Sequence, residues 1–237
     1  MTVELANKKK ETLLPILYQA LQEEYGQERE GIHVSDLIYC PRKTCFQKLK
    51  PLPITNLQLN FFTSGKAIHA ALQSLVKKYP NRFTIEKEIW FEDIVAHVDI
   101  FDEREGIPIE AKSARVKAML TPKAHNLTQL RVYMSITDSD KGIILYQCLM
   151  NFDDNPFVEF EHTMTKAERV ETLNKLAVDA DLLRKGIAAK DPSIVRHIAY
   201  DENFRDKIGG NWLCKSCPYL IECQDMRNRE RVRDFQK

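Results

Sequence analysis

The sequence predicts an α/β fold in which a mixed β-sheet is flanked by helices. Three observations carry that expectation. Period-two segments crowd the middle of the chain, helical segments lie before and after them, and the order reads α, β-β-β, α, β, β, α. With 237 residues, 43% hydrophobic and 29% charged, the chain suits one large domain or one domain with a small attachment.

Residues 11–25 carry apolar residues at helical spacing, with Pro15 near the start. Ser35 suits an N-cap for the short run Asp36–Cys40, which Pro41 interrupts early. A helix is expected from about Leu59 to Tyr79, with Phe61, Phe62, Ile68, Leu72, Leu75 and Val76 on its apolar face. Phe83–Phe91 and Ile94–Phe101 alternate as strands, and a polar turn at 102–106 leads into a third strand, Ile107–Lys112. Thr121-Pro122 reads as cap and first turn of a helix reaching Thr137. Two further strands are expected at 142–149 and 157–163. Thr165 and Glu168 make a capping box for a helix to about Lys190, and an irregular tail begins at Asp191.

No apolar run nears the roughly 18 residues of a membrane span. The opening residues lack the apolar stretch of a signal peptide, so a cytoplasmic protein without a membrane partner is expected. Thirty-five basic and 34 acidic residues exclude a uniformly basic nucleic-acid coat. A local basic track remains open, from Arg42, Lys43, Lys48 and Lys50, from Lys112, Arg115, Lys117 and Lys123, or from Arg227, Arg229, Arg231 and Arg233.

The strongest chemical signal lies in two neighbouring strands. Folding the polar turn so that Asp102 faces Ile107 sets Asp99 directly opposite Glu110. Opposed residues have Cβ atoms about 5 Å apart, and like charges there are destabilising. A divalent cation, Mg²⁺ or Mn²⁺, would offset that repulsion. Lys112, two residues beyond Glu110, shares its face and suits the orientation of an attacking water. The bland alternative is an ordinary ion pair on a solvated strand. His69, one step from an apolar helical stripe, is either a core histidine or an imidazole aimed at that metal. Gln129 and Tyr133 share a helix face, where they suit positioning a phosphate and contacting or stacking on nucleic acid.

Six cysteines in a reducing compartment argue against a disulfide framework. Cys214, Cys217 and Cys223 have ligand-like spacing, with Cys40 the candidate fourth ligand and Cys45 its rival. Spacing alone leaves zinc and an iron–sulfur cluster both open. Cys148 reads as a small buried hydrophobe.

Taken in order, Ser35-Asp-Leu-Ile-Tyr-Cys40-Pro-Arg-Lys43, Gly65-x3-His69, Val98-Asp99, Ile109-Glu110-Ala-Lys112-Ser113, Gln129-x3-Tyr133 and the C-terminal cysteines resemble the RecB-type, CRISPR-associated exonucleases of the PD-(D/E)xK superfamily. Ala96 stands where that family often has glycine, and no proline precedes Asp99. The resemblance implies a restriction-endonuclease-like core at 57–190. An N-terminal helical segment, 1–56, and a C-terminal region, 191–237, would be joined by an iron–sulfur cluster, [4Fe–4S] or [2Fe–2S], on Cys40, Cys214, Cys217 and Cys223. It implies His69, Asp99, Glu110 and the Ala111 carbonyl as metal ligands, Lys112 as the water-orienting group, and Gln129 and Tyr133 as the active-site rim. It also implies exonucleolytic cleavage of single-stranded DNA or overhangs during CRISPR spacer acquisition, in partnership with the integrase complex. A DNA-end-binding adaptor and a repair or mobile-element nuclease are the competing expectations, and oligomeric state stays open.

Overall fold

A computed structural model describes residues 13–26, 29–152, 155–198, 201 and 211–235, the last six of these as backbone only. The elements are α1 (Leu13–Tyr25), β1 (Ile32–His33), α2 (Val34–Ile38), α3 (Pro41–Leu49), α4 (Asn56–Val76), β2 (Phe83–Phe91), β3 (Ile94–Asp102), β4 (Ile107–Ala114), α5 (Ala124–Ile136), β5 (Lys141–Cys148), β6 (Phe157–Thr163), α6 (Lys166–Ala188), α7 (Trp212–Lys215) and α8 (Leu220–Phe235). The expected mixed sheet flanked by helices is present. None of the described helices is long and apolar enough to cross a membrane.

β3 organises the sheet. β2 runs antiparallel along its whole length, so β1 and β4 must share the other edge. β1 pairs in parallel with Ile94 and Val95, whereas β4 pairs antiparallel with Ile100, Phe101 and Asp102. Residues 96–99 are left between these two partners, and Asp99 sits in that gap. β4 then pairs in parallel with β5, and β5 antiparallel with β6. On β5 the buried face alternates strictly through Gly142, Ile144, Tyr146 and Cys148, against Leu130 and Met134 of α5. Cys148 is buried there, as the sequence suggested. A larger core joins α2, β3, α5 and α6 through residues such as Leu37, Val98, Tyr133 and Leu183.

Several boundaries differ from the sequence reading. Ser35 lies inside α2, whose N-cap is His33, with Asp36 Oδ2 accepting the His33 N–H at 2.9 Å. Pro41 does not end a helix but occupies the first turn of α3, where its missing N–H costs nothing. α5 begins after Lys123, not at Thr121-Pro122. The tail is not irregular throughout, since α8 occupies 220–235. The Thr165–Glu168 capping box forms as expected.

The apolar face assigned to α4 is the largest correction. Only Leu59 and Leu72 are buried, while Phe61, Phe62 and Leu75 are about half exposed. α4 pairs with α1, ring to ring between Tyr25 and Phe62 (5.7 Å), and α1 itself has no buried residue. Helical periodicity marked an apolar stripe but not how much of it the sheet would cover.

Arg42 is also not part of a surface track. It is 3% exposed, donating from Nε to the Val195 carbonyl (2.8 Å) and from Nη2 to the Ser193 carbonyl (3.1 Å). It thereby clamps the segment after α6 to α3. Truncation orphans the buried Val195 carbonyl and the part-buried Ser193 carbonyl, so Arg42→Ala is expected to cost about 3 kcal/mol and to lower Tm by roughly 6–12 °C. A thermal melt checks this, and an unchanged Tm would return Arg42 to the surface-track reading.

Candidate active site

Two buried carboxylates of the sheet can be compared directly. Asp102 is fully served: Arg82 donates to Oδ2 from Nε (2.9 Å) and Nη2 (2.7 Å), and the Arg104 and Glu105 N–H groups donate to Oδ1. It caps the β3–β4 turn. Glu110 is 1% exposed and meets no such provision. The Lys112 ammonium lies against Oε1 as an ion pair, yet neither carboxylate oxygen accepts a well-aligned hydrogen bond. A buried carboxylate this poorly solvated is costly when ionised, and either a proton or a further cation relieves it.

The β3–β4 ladder is in the expected register, Asp102 opposite Ile107 and Ile100 opposite Ile109, but its pairing stops there. One step on, where Asp99 would face Glu110, Asp99 Oδ2 accepts the Ala111 N–H at 2.8 Å. A side chain has replaced a backbone acceptor, and this frees the strands to part at the two carboxylates. Asp99 Oδ1 faces His69 Nδ1 at 3.4 Å. That contact with Asp99 raises the imidazole pKa against the opposing effect of burial.

Burial, followed by the nearby Asp99 charge, pushes the Glu110 carboxyl well above the usual carboxylate range. Burial by itself would favour loss of the Lys112 proton, but Glu110, Tyr39 and Asp99 together outweigh it and keep the ammonium charged. Gln129 Nε2 donates to the Tyr133 hydroxyl at 2.8 Å, while Gln129 Oε1 is buried without a partner. The Tyr133 phenol pKa is raised by burial first and by Glu110 second. Tyr133 is only 4% exposed and packs in the core, so stacking on nucleic acid is closed to it. Its polar end, like that of Gln129, belongs to the wall of the site.

Glu110 and Asp99 are two carboxylates served by one ammonium, Lys112, and by the His69 imidazole, and the buried Gln129 Oε1 has no donor. Such a donor set fits a hard divalent cation. Two further residues belong to this neighbourhood and were not picked out from sequence. The half-buried Tyr39 phenol feels the charges of Lys112, Glu110 and Asp99, and burial is the main cause of its raised pKa. Glu86 joins His69 and Asp99 in a group whose ligand atoms all lie within 4.8 Å of one another. The β2–β3 hairpin register, which places Glu86 across from Asp99, was the available signal.

No family model matches the chain. The CRISPR-associated exonuclease Cas4 of Saccharolobus solfataricus is 24% identical to it over 211 residues, covering 83% of this chain and 89% of that protein. The chain is similar to that exonuclease along most of its length. The solved structure of SSO0001 has the same fold, with a TM-score of 0.56 and 23% identity over 89% of this chain and 95% of that one. A phage-related exonuclease from Haemophilus somnus is more distant, with a TM-score of 0.44 and 11% identity over 63% of this chain and 81% of that one.

A second constellation lies beside α3. Cys214 feels the charges of Cys40, Cys217 and Cys223, and Cys217 those of Cys40 and Cys223. Four thiols drawn from opposite ends of the chain therefore share one neighbourhood. Burial raises the pKa of Cys40 and Cys217, and pushes that of Cys214 up to about 11. Cys45 faces elsewhere: it is fully buried in the α3–α6 core, its Sγ within 3.3 Å of where a Cβ on Gly186 would stand. The C-terminal segment has anchors of its own. Tyr219 stacks on Phe46 (centroids 5.1 Å) and donates to the Lys50 carbonyl at 2.8 Å, and Lys50 pairs with Glu222 at 3.2 Å. Of the C-terminal basic run, the side chains of Arg231 and Arg233 lie outside the described residues.

Proposed function

We propose that this chain is a divalent-cation-dependent DNA exonuclease that shortens single-stranded DNA or overhangs in the cytosol. The observation that supports it most is the buried Glu110, whose oxygens lack an aligned hydrogen-bond donor, beside a second buried carboxylate, Asp99, and the Lys112 ammonium. Asp99, Glu110, His69 and the Ala111 carbonyl would hold Mg²⁺ or Mn²⁺. When bound, such a cation polarises a phosphate oxygen and lowers the pKa of a coordinated water.

The chain's own groups divide the remaining work. The charged Lys112 ammonium orients a water and offsets the negative charge that grows on the phosphate. The Ala111 N–H fixes one lobe of Asp99, leaving Oδ1 toward the cation side. The Gln129–Tyr133 bond locks the amide so that its free oxygen stays turned into the site.

The relative is named a CRISPR-associated exonuclease, and the motif resemblance extends the proposal to spacer acquisition, with trimming of DNA ends before integration and the integrase complex as partner. Cys40, Cys214, Cys217 and Cys223 would hold an iron–sulfur cluster, [4Fe–4S] in preference to [2Fe–2S].

The test is cleavage of end-labelled single-stranded, overhang and blunt DNA with Mn²⁺ or Mg²⁺, using protein purified without oxygen. Progressive shortening of the first two substrates, stopped by EDTA, is expected. A brown, folded protein that binds these DNAs and shortens none would overturn the reading.

A further inference from the structure

One side of α4 leads into the candidate site, and its N-terminal half is uncovered. Phe61, Gly65 and His69 recur every four residues and so share a stripe along the helix. His69 ends the stripe at Asp99, its Nδ1 3.4 Å from Oδ1. Leu72, three residues further on, is buried, whereas Phe61, two turns earlier, is 56% exposed. Phe62 and Lys66 turn the other way, onto Tyr25 and Glu24 of α1.

Gly65 lies between the exposed ring and the imidazole. Glycine is second only to proline as a poor residue for a helix interior. No close packing within the chain requires it here, since a Cβ at this position would meet nothing within 4 Å. The helix therefore keeps room beside the site that its own side chains do not fill. Arg115, three residues beyond Lys112 on the way out of β4, brings its guanidinium to 6.0 Å from the centre of the Phe61 ring. Arg115 and Lys117 are exposed, and neither has a carboxylate partner among the described residues. A single nucleic-acid strand needs a ring face for a base, room for its sugar–phosphate chain and a cation for a phosphate, and this stripe offers all three.

We propose that Phe61, Gly65 and Arg115 form a seat for an unpaired stretch of DNA, with Phe61 stacking on a base and Arg115 neutralising a phosphate. The seat lies two helical turns, about 12 Å, ahead of His69. A paired base shows its ring faces only to its neighbours in the stack, so Phe61 is a specificity-determining residue for unpaired DNA. The proposal deepens the nuclease reading and rests on it for the choice of nucleic acid as occupant.

Binding without metal, so that nothing is cut, tests it through the anisotropy of a fluorescein-labelled oligothymidine, single-stranded or annealed to its complement. Phe61→Ala is expected to weaken single-strand binding about 10-fold, to leave blunt-duplex binding and Tm unchanged, and to be rescued in Phe61→Trp. Arg115→Gln should flatten the dependence of log affinity on log salt by about 0.7. Gly65→Leu should fill the room and weaken single-strand binding about 10-fold. Its Tm should nevertheless rise by roughly 2–4 °C, because leucine suits a helix interior far better than glycine does. Single-strand affinity unchanged in both Phe61→Ala and Gly65→Leu overturns the seat. If Phe61→Ala then sediments as a smaller assembly than wild type, the face belongs to a second copy of the chain instead. Cleavage of the same oligothymidine with Mn²⁺ separates the two readings. Wild type that cuts, beside variants of unchanged affinity, keeps the nuclease and loses the seat. Wild type that binds without cutting, beside a weakened Phe61→Ala, keeps the seat and overturns the nuclease. Wild type that binds no oligothymidine overturns the seat.

Discussion

Glu110→Ala is expected to lower the rate of DNA shortening by at least about 10³-fold while leaving a folded protein. A cation at such a site contributes several kcal/mol of transition-state charge stabilisation, and each 1.4 kcal/mol is tenfold in rate. Glu110 is also the ion-pair partner of Lys112, so its removal leaves that ammonium without its nearest carboxylate. Fold loss is the competing explanation, and Tm without metal separates the two. Glu110 sits well above its ordinary pKa because burial and Asp99 disfavour its ionised form. The same shift fixes the sign of a pH effect. Protons and cation compete for Glu110, so Mn²⁺ affinity should rise as pH climbs from the ordinary carboxylate range toward the raised value. The measurements are rate on end-labelled single-stranded DNA, Tm without metal, and Mn²⁺ titration at several pH values. Cleavage by Glu110→Ala within tenfold of wild type would remove the chemistry from this strand pair.

Cys217→Ala is expected to lose iron and the brown colour, and to lower Tm by roughly 10–20 °C. Linking Cys40 to Cys214 closes a loop of 174 positions. A cross-link of that span restricts the unfolded chain by about 5 kcal/mol, and each kcal/mol moves Tm by roughly 2–4 °C in a chain of this size. The Phe46–Tyr219 stack, the Tyr219–Lys50 bond and the Lys50–Glu222 pair should keep the tail partly docked. The loss therefore falls short of global unfolding. Rings also connect this region to the site: Trp212 lies 5.4 Å from His125, and His125 6.2 Å from Tyr39, whose phenol feels Lys112 and Glu110. Cys217→Ala should thus also slow cleavage. Iron content, visible absorbance and a thermal melt check this, and a brown variant melting with wild type would refute the staple.

Legibility in the sequence depended on distance along the chain. The β3–β4 register could be read because a short polar turn dictates which residues oppose each other, and from that alone Asp99, Glu110 and Lys112 converge. Period two and the capping box at Thr165 are equally local, and both survive in the structure. α4 shows where local reading stops. Its stripe of Phe61, Phe62 and Leu75 has the spacing of a core face, yet only Leu59 and Leu72 of the helix are buried.

By itself, then, the sequence determined the hairpin pairs, the helical segments and the residue types offered to the two constellations, because backbone geometry over a few residues specifies them. Only the tertiary structure decided which offers are taken. It buried Arg42 as a clamp on carbonyls some 150 positions away and closed Tyr133 off from solvent. It chose Cys40 over Cys45 as the neighbour of the C-terminal thiols, and turned Glu86 out of its ladder toward His69 and Asp99. Each of these depends on which surfaces meet when distant elements pack, and no periodicity or spacing within one segment carries that information.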